Sequence, residues 1–168
     1  AFEYNLTNNF VSYLNFKNCN IVTKFKLPQK KTNLFLNNLE KKIKEQKKFY
    51  RIKSFEGILF HDINDLSTKY FKNVLEKLIE LKKKRLVKNI GVSIYNPNDL
   101  NIVFSKFIPD IIQTPLNIFD QRFLRSKWLK IIKKNNIKVQ VRSIFLQGTL
   151  LMKLSDLKKS KLNKKLIN

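Results

Sequence analysis

The chain has 168 residues, 43% of them hydrophobic, including 14 Phe and only 3 Gly, which describes a folded domain with room for a core rather than a disordered segment. Lys and Arg number 35 against 12 Asp and Glu, for a formal charge of +23, and no apolar run approaches the roughly 20 residues of a membrane-crossing helix. The single cysteine, Cys19, excludes an internal disulfide and is expected as a core thiol; the opening Ala1-Phe2-Glu3-Tyr4 reads as mid-protein sequence with no signal-like start, which suits a cytoplasmic location.

Strand and helix signals alternate along the chain. Phe10, Val11 and Leu14 mark the end of a helix over Asn8–Asn15. A short apolar strand follows at about 19–25, ending in Ile21-Val22-Thr23-Lys24, with Pro28 closing its loop. Leu34, Leu36, Leu39 and Ile43 give a helical stripe over 33–48. Gly57 opens a second strand at about 57–62, whose Ile58-Leu59-Phe60 runs into His61, the only histidine. Asp65 is the expected N-cap of the next helix, with Phe71, Val74, Leu75, Leu78 and Leu81 facing inward.

Asn89–Ser93 is the third strand, and Pro97 opens a helix after it. Pro109 leads into a fourth strand at Ile111-Ile112-Gln113, closed by Pro115. Phe123, Trp128, Leu129 and Ile132 predict a helix over about 120–135, and 137–141 is the fifth strand. Gly148, Leu150 and Leu151 precede a Lys-rich helical tail from about 155.

Short, continuous, β-branched strands separated by helices imply βαβ units and a parallel sheet. No Gly-rich phosphate loop of either common type is present. A (β/α)₈ barrel then remains, yet such barrels take about 250 residues. The expected fold is therefore α/β: a partial (β/α)₈ TIM barrel, roughly strands 3 to 7 with their intervening helices, the N- and C-terminal parts missing, and 1–168 forming one incomplete domain. Five strands alone would leave open edges and poor solubility.

In parallel sheets ligands gather at the C-terminal strand ends. In order, those ends carry Lys24, His61, Ser93, Gln113 and Arg142-Ser143. Either Lys24 or His61 alone also reads as structural, a lysine snorkelling to water or a satisfied turn histidine. Recurring in one pattern, they point to chemistry.

The ordered set resembles the aldo-keto reductase family, in particular its bacterial members. Ile21–Lys24 is similar to the strand carrying the family lysine, and Ile58-Leu59-Phe60-His61-Asp62 to the one carrying its histidine. Ile90-Gly91-Val92-Ser93 resembles the family's Ile-Gly-Val-Ser-Asn, with Ile94 in place of the Asn. Ile112-Gln113-Thr114-Pro115-Leu116-Asn117, Phe119-Asp120-Gln121-Arg122 and Val141-Arg142-Ser143-Ile144-Phe145-Leu146-Gln147-Gly148 continue the likeness. Ala1-Phe2-Glu3-Tyr4-Asn5 fits the family's Ala-x-x-Tyr-Gly, which puts the family's catalytic Asp two places before Ala1.

The resemblance implies an NAD(P)H-dependent oxidoreductase that interconverts an aldehyde or ketone and its alcohol by hydride transfer. Tyr4 would be the general acid, Lys24 would lower its pKa, and His61 would orient the substrate oxygen. Ser93 and Gln113 would hold the nicotinamide carboxamide, with Arg142 and Ser143 completing the cofactor contacts and Arg142 stacking on the ring. NADP(H) is expected ahead of NAD(H), the substrate is a small carbonyl or sugar-like compound, no metal is implied, and this stretch alone is expected to be inactive.

The charge leaves two readings open. Lys, Asn, Ile and Phe enriched together fit A- and T-rich coding, with lysines on solvated helix faces such as Lys41-Lys42, Lys82-Lys83-Lys84 and Lys133-Lys134. The alternative is a basic protein on a degenerate barrel that holds nucleic acid or another polyanion. Nucleic acid is set behind the small-molecule reading because Arg with interleaved aromatics is not prominent.

Overall fold

The computed structural model describes residues 16, 19–28, 32–153 and 155–156. The expected Asn8–Asn15 helix, Tyr4 and most of the Lys-rich tail lie outside them. The elements are β1 (Val22–Phe25), α1 (Thr32–Phe49), β2 (Gly57–Phe60), a 3₁₀ turn (Ile63–Ser67), α2 (Phe71–Lys83), β3 (Ile90–Ser93), α3 (Asp99–Lys106), β4 (Ile111–Pro115), α4 (Trp128–Lys134), β5 (Lys138–Arg142) and a second 3₁₀ segment (Leu146–Leu151). The strands form one sheet in the order β1-β2-β3-β4-β5, every pair parallel. Sequential parallel order with helical crossovers is the β/α barrel arrangement.

Pleating divides the strand residues between two faces. Phe25, Ile58, Phe60, Ile90, Val92 and Ile112 are buried in one core cluster with Leu39 and Ile43 of α1, Val74 and Leu78 of α2, Leu100 and Val103 of α3, and Ile132 of α4. Aromatic rings reinforce it: Phe60 lies 5.0 Å from Phe25 and 5.3 Å from Phe71, and Phe104 stacks on Trp128 at 5.3 Å. Each such side chain withdrawn from water contributes about 1.5–3 kcal/mol.

The sheet curls. Lys24 on β1 and Gln113 on β4 are separated by β2 and β3, about 14 Å in a flat sheet, yet their side chains meet at 3.0 Å. At the other end Lys138, opening β5, reaches Glu56, just before β2, at 2.9 Å.

Several expectations are corrected. Asp65 is not a cap: the helix it was expected to open, α2, begins only at Phe71, after Tyr70 and with no side-chain cap; the 3₁₀ turn before it is capped by Asp62, whose carboxylate accepts from the Asn64 N–H, and buried Asp65 accepts from the Leu27 N–H at 3.1 Å. Cys19 is exposed, because its N–H closes a turn onto the Phe16 carbonyl before the packed strand begins. Leu34 is 55% exposed, lying off the buried stripe of α1. The helix expected over 120–135 is only Trp128–Lys134, since 117–126 is held in turns by side chains described below, and Leu129 faces solvent.

Glu40 on α1 gathers Lys44 at 2.8 Å, Lys84 at 2.8 Å and Lys77 at 3.3 Å. The Lys44 and Lys84 hydrogen bonds lead in pulling its pKa from 4.5 to about 2. A depressed carboxylate stabilises the fold above its unfolded pKa and loses that contribution as pH falls through the folded value. Acid titration of stability should therefore be steeper for the wild type than for Glu40→Gln between pH 4.5 and about 2; parallel curves in urea melts would reject this.

Candidate active site

Register, rather than proximity in sequence, assembles the site. Lys24, Leu59, Gly91, Ile111 and Lys138 are successive partners across all five strands. Two residues further on, Ser93, Gln113 and Gln140 are partners on β3, β4 and β5. His61 is two residues past Leu59, and its N–H extends the β1–β2 ladder to the Phe25 carbonyl at 2.8 Å. Alternation thus carries Lys24, His61, Ser93, Gln113 and Gln140 to one face at the C-terminal strand ends.

Gln113 is the hub. Its Oε1 accepts from Lys24 Nζ at 3.0 Å and from Ser93 Oγ at 3.5 Å, while its Nε2 donates to Gln140 Oε1 at 2.7 Å. The Lys24 pKa is lowered, first by burial and then by the positive charge of Arg142. A half-buried ammonium held by a neutral amide beside a second cation is poised to influence a neighbouring ionisable group.

Arg142, at the end of β5, lays its guanidinium over the Tyr95 ring at 4.1 Å and donates through Nη2 to the Ile94 carbonyl at 3.1 Å. Nη1 reaches Ser143 Oγ at 3.4 Å, and Ser143 itself leaves the strand with a φ of 61°. Arg142 Nε is buried without a protein acceptor among the described residues. The Ile94 side chain is fully buried in the core, so the position where the resemblance expects an Asn offers no polar group to a ligand.

The loop after β4 is anchored to this end. Asn117 Oδ1 accepts from the Phe119 and Asp120 N–H groups, and Arg122 forks onto Asp120 with two 2.8 Å bonds. Arg122 Nη2 also reaches the Tyr95 carbonyl at 3.3 Å, tying the loops after β3 and β4 together. That Arg–carboxylate pair holds the Asp120 pKa below its ordinary range.

Of the residues expected from sequence, Lys24, His61, Ser93, Gln113 and Arg142 stand at this end of the sheet, and Ser143 adjoins through Arg142. Tyr4 lies outside the described residues. Sequence reasoning missed Gln140 and Tyr95. The strict alternation Lys138-Val139-Gln140-Val141-Arg142 carried the signal for Gln140, which shares the face of Arg142.

A curled parallel sheet with helices on its outer face and polar residues converging at the C-terminal strand ends is a segment of a (β/α)₈ barrel with its site at the usual end. The chain belongs to the aldo/keto reductase family, whose model matches residues 12–166. Solved structures agree in fold. AKR11C1 from Bacillus halodurans in its holo form is 19% identical, with a TM-score of 0.63 over 86% of this chain and 50% of that one. The glycerol dehydrogenase AKR11B4 from Gluconobacter oxydans is 19% identical, with a TM-score of 0.54 over 78% of this chain and 40% of that one. A mutant of Gox0644 in complex with NADPH is 23% identical, with a TM-score of 0.51 over 81% and 49%. The chain spans about half the length of the solved structures it matches. No curated protein matches it.

The site's donor set suits a nicotinamide carboxamide. Ser93 Oγ keeps acceptor capacity, and Gln113 Nε2 has a second N–H beyond the one given to Gln140. The unpartnered Arg142 Nε adds a buried donor nearby. No helix among the described residues is long and apolar enough to cross a membrane, and no His, Cys, Asp and Glu cluster there could hold a metal ion.

Proposed function

We propose that these residues form the active-site end of an NAD(P)H-dependent oxidoreductase acting on a small carbonyl or sugar-like compound. The observation carrying this reading is the Lys24–Gln113–Ser93 cluster, brought together from three strands on one concave face. The chemistry the cofactor supplies when bound is hydride donation to, or removal from, the reacting carbon. Ser93 and Gln113 would hold its carboxamide, and Arg142 and Ser143 would flank its ring.

Carbonyl reduction builds negative charge on oxygen, which needs a proton and a positive surrounding. Tyr4 donates that proton from its phenol, whose ordinary pKa is about 10. Lys24 is the cation that would favour loss of that proton. Gln113 Oε1 fixes the Lys24 ammonium, and His61 donates a hydrogen bond that orients the substrate oxygen. NADP(H) is preferred to NAD(H) in this reading.

Activity is expected of a whole barrel containing these 168 residues rather than of this stretch by itself. The test is reduction of a panel of small aldehydes, ketones and ketoses by such a barrel, followed through loss of NADPH absorbance, with NADH in parallel. Dinucleotide-dependent turnover is the expected result. A folded barrel that neither binds nor oxidises either dinucleotide would sink the proposal.

A further inference from the structure

Parallel topology gathers three helix ends of this chain. Each helix runs back against the strand before it, so the C-termini of α1, α2 and α4 all lie at the end of the sheet opposite the site. Three of these ends are built alike. Ile52, Leu86 and Ile137 each donate an N–H to the carbonyl five residues back, at 3.1, 3.0 and 3.1 Å, and the residue before each is left-handed: Arg51 at φ 53°, Arg85 at φ 57° and Asn136 at φ 52°. This closing motif favours glycine at the left-handed position, yet α1 and α2 place an arginine there.

Two cations stand at each end: Arg51 and Lys53 after α1, Lys83 and Arg85 at α2, and Lys133 and Lys134 on α4. All six are exposed, and none forms an ion pair among the described residues. The nearby carboxylates are engaged elsewhere: Glu56 with Lys88 and Lys138, Glu80 with Lys77 and Lys84, Asp110 with Lys82. Glu45 lies a turn further up α1. Helix-dipole complementarity favours cations within the last turn, but Arg51, Lys53 and Arg85 lie past it.

We propose that this end of the sheet, away from the candidate active site, binds the phosphate backbone of nucleic acid without reading its sequence. With neighbouring helices about 10 Å apart and α3 lying between α2 and α4, the three pairs span about 30 Å along the curve of the sheet, a length suited to an extended polyanion rather than a small anion. An anionic membrane is the less fitting partner. The strongly exposed Ile118, Phe119 and Leu151 follow β4 and β5 at the opposite end, whereas this end exposes Phe49, Ile79 and Ile108.

The test uses a barrel containing these 168 residues and a duplex DNA of random sequence, with affinity followed across salt concentrations. The expected result is binding whose log K falls linearly with log salt, by about 0.9 for each phosphate neutralised. Changing Arg51, Lys53, Lys83, Arg85, Lys133 and Lys134 together to Gln should abolish most binding and flatten that slope. A second variant with the same net charge, with Gln at Lys41, Lys42, Lys69, Lys72, Arg125 and Lys127, should bind as the wild type does. Circular dichroism melts establish that both variants fold. Equal loss in the two variants, no duplex binding by the wild type, or binding confined to phosphatidylserine vesicles would each overturn the proposal.

Discussion

Replacing Lys24 by Met is expected to lower kcat/KM for carbonyl reduction by about 10²- to 10⁴-fold in a barrel carrying this chain, the range typical of a lost proton-transfer device. In the proposed mechanism Lys24 is the cation that would make the Tyr4 phenol a usable acid, so removing it would return the phenol toward its ordinary pKa of about 10. The alkaline limb of the pH–rate profile should then move upward while the rate falls. Tyr4→Phe should lose a comparable factor. Full turnover in Lys24→Met with an unmoved limb would reject the assigned role.

A readout independent of turnover accompanies this. Burial and Arg142 depress the Lys24 pKa below 10.5 in the folded state. The unfolded chain therefore binds more protons in the window beneath 10.5, so the Lys24 contribution makes stability rise with pH there. Lys24→Met should lack that rise in urea melts on the alkaline side. Since Met fills much of the same half-buried space, the variant should still fold.

Gly91→Ala is expected to be the most damaging single-methyl change in the fold. A Cβ at Gly91 would sit 1.9 Å from the Ile111 carbonyl oxygen, 2.6 Å from Ile111 Cγ2 and 2.8 Å from Leu59 Cδ2. The two side chains could shift, but the carbonyl belongs to the backbone of the paired β4 strand. Overpacking a core costs about 1–3 kcal/mol when side chains can yield; here about 3 kcal/mol or more is expected, a large part of the 5–15 kcal/mol typical of a domain. Gly57→Ala supplies the contrast, because its nearest neighbours stand at 3.5–3.6 Å, ordinary contact distance. Denaturant midpoints measure both, and equal midpoints for the two variants would refute the argument.

Gly91 is also where the curl of the sheet is most evident. Leu59 and Ile111, its register partners on either side, both lean over it. A residue without a side chain leaves the room that these neighbours fill on the inner face.

The strands, their parallel order and the placement of most candidate site residues at the strand ends were legible because each rests on a local signal. Short β-branched runs between amphipathic helices define βαβ units, and a strand's last residue is recognisable from the run it ends. Lys24, His61, Ser93, Gln113 and Arg142 were found in that way. Errors fell where a side chain overrode the local pattern. A 3₁₀ turn capped by Asp62 took the segment where Asp65 was expected to open α2, and the Asn117 turns with the Asp120–Arg122 fork shortened the helix expected from about 120.

Other features belong to contacts between residues far apart in the chain. The Lys24–Gln113 bond joins residues 89 positions apart, and Lys138–Glu56 joins residues 82 apart. The amide network through Gln140, the Arg142–Tyr95 stack and the collection of helix ends into one basic surface are likewise non-local. Periodicity and turn chemistry act over a few residues, so they determine which segments are strands and which face each presents. Curvature and register across five strands depend on how those faces pack together, and it is this packing that turns separate strand ends into one site.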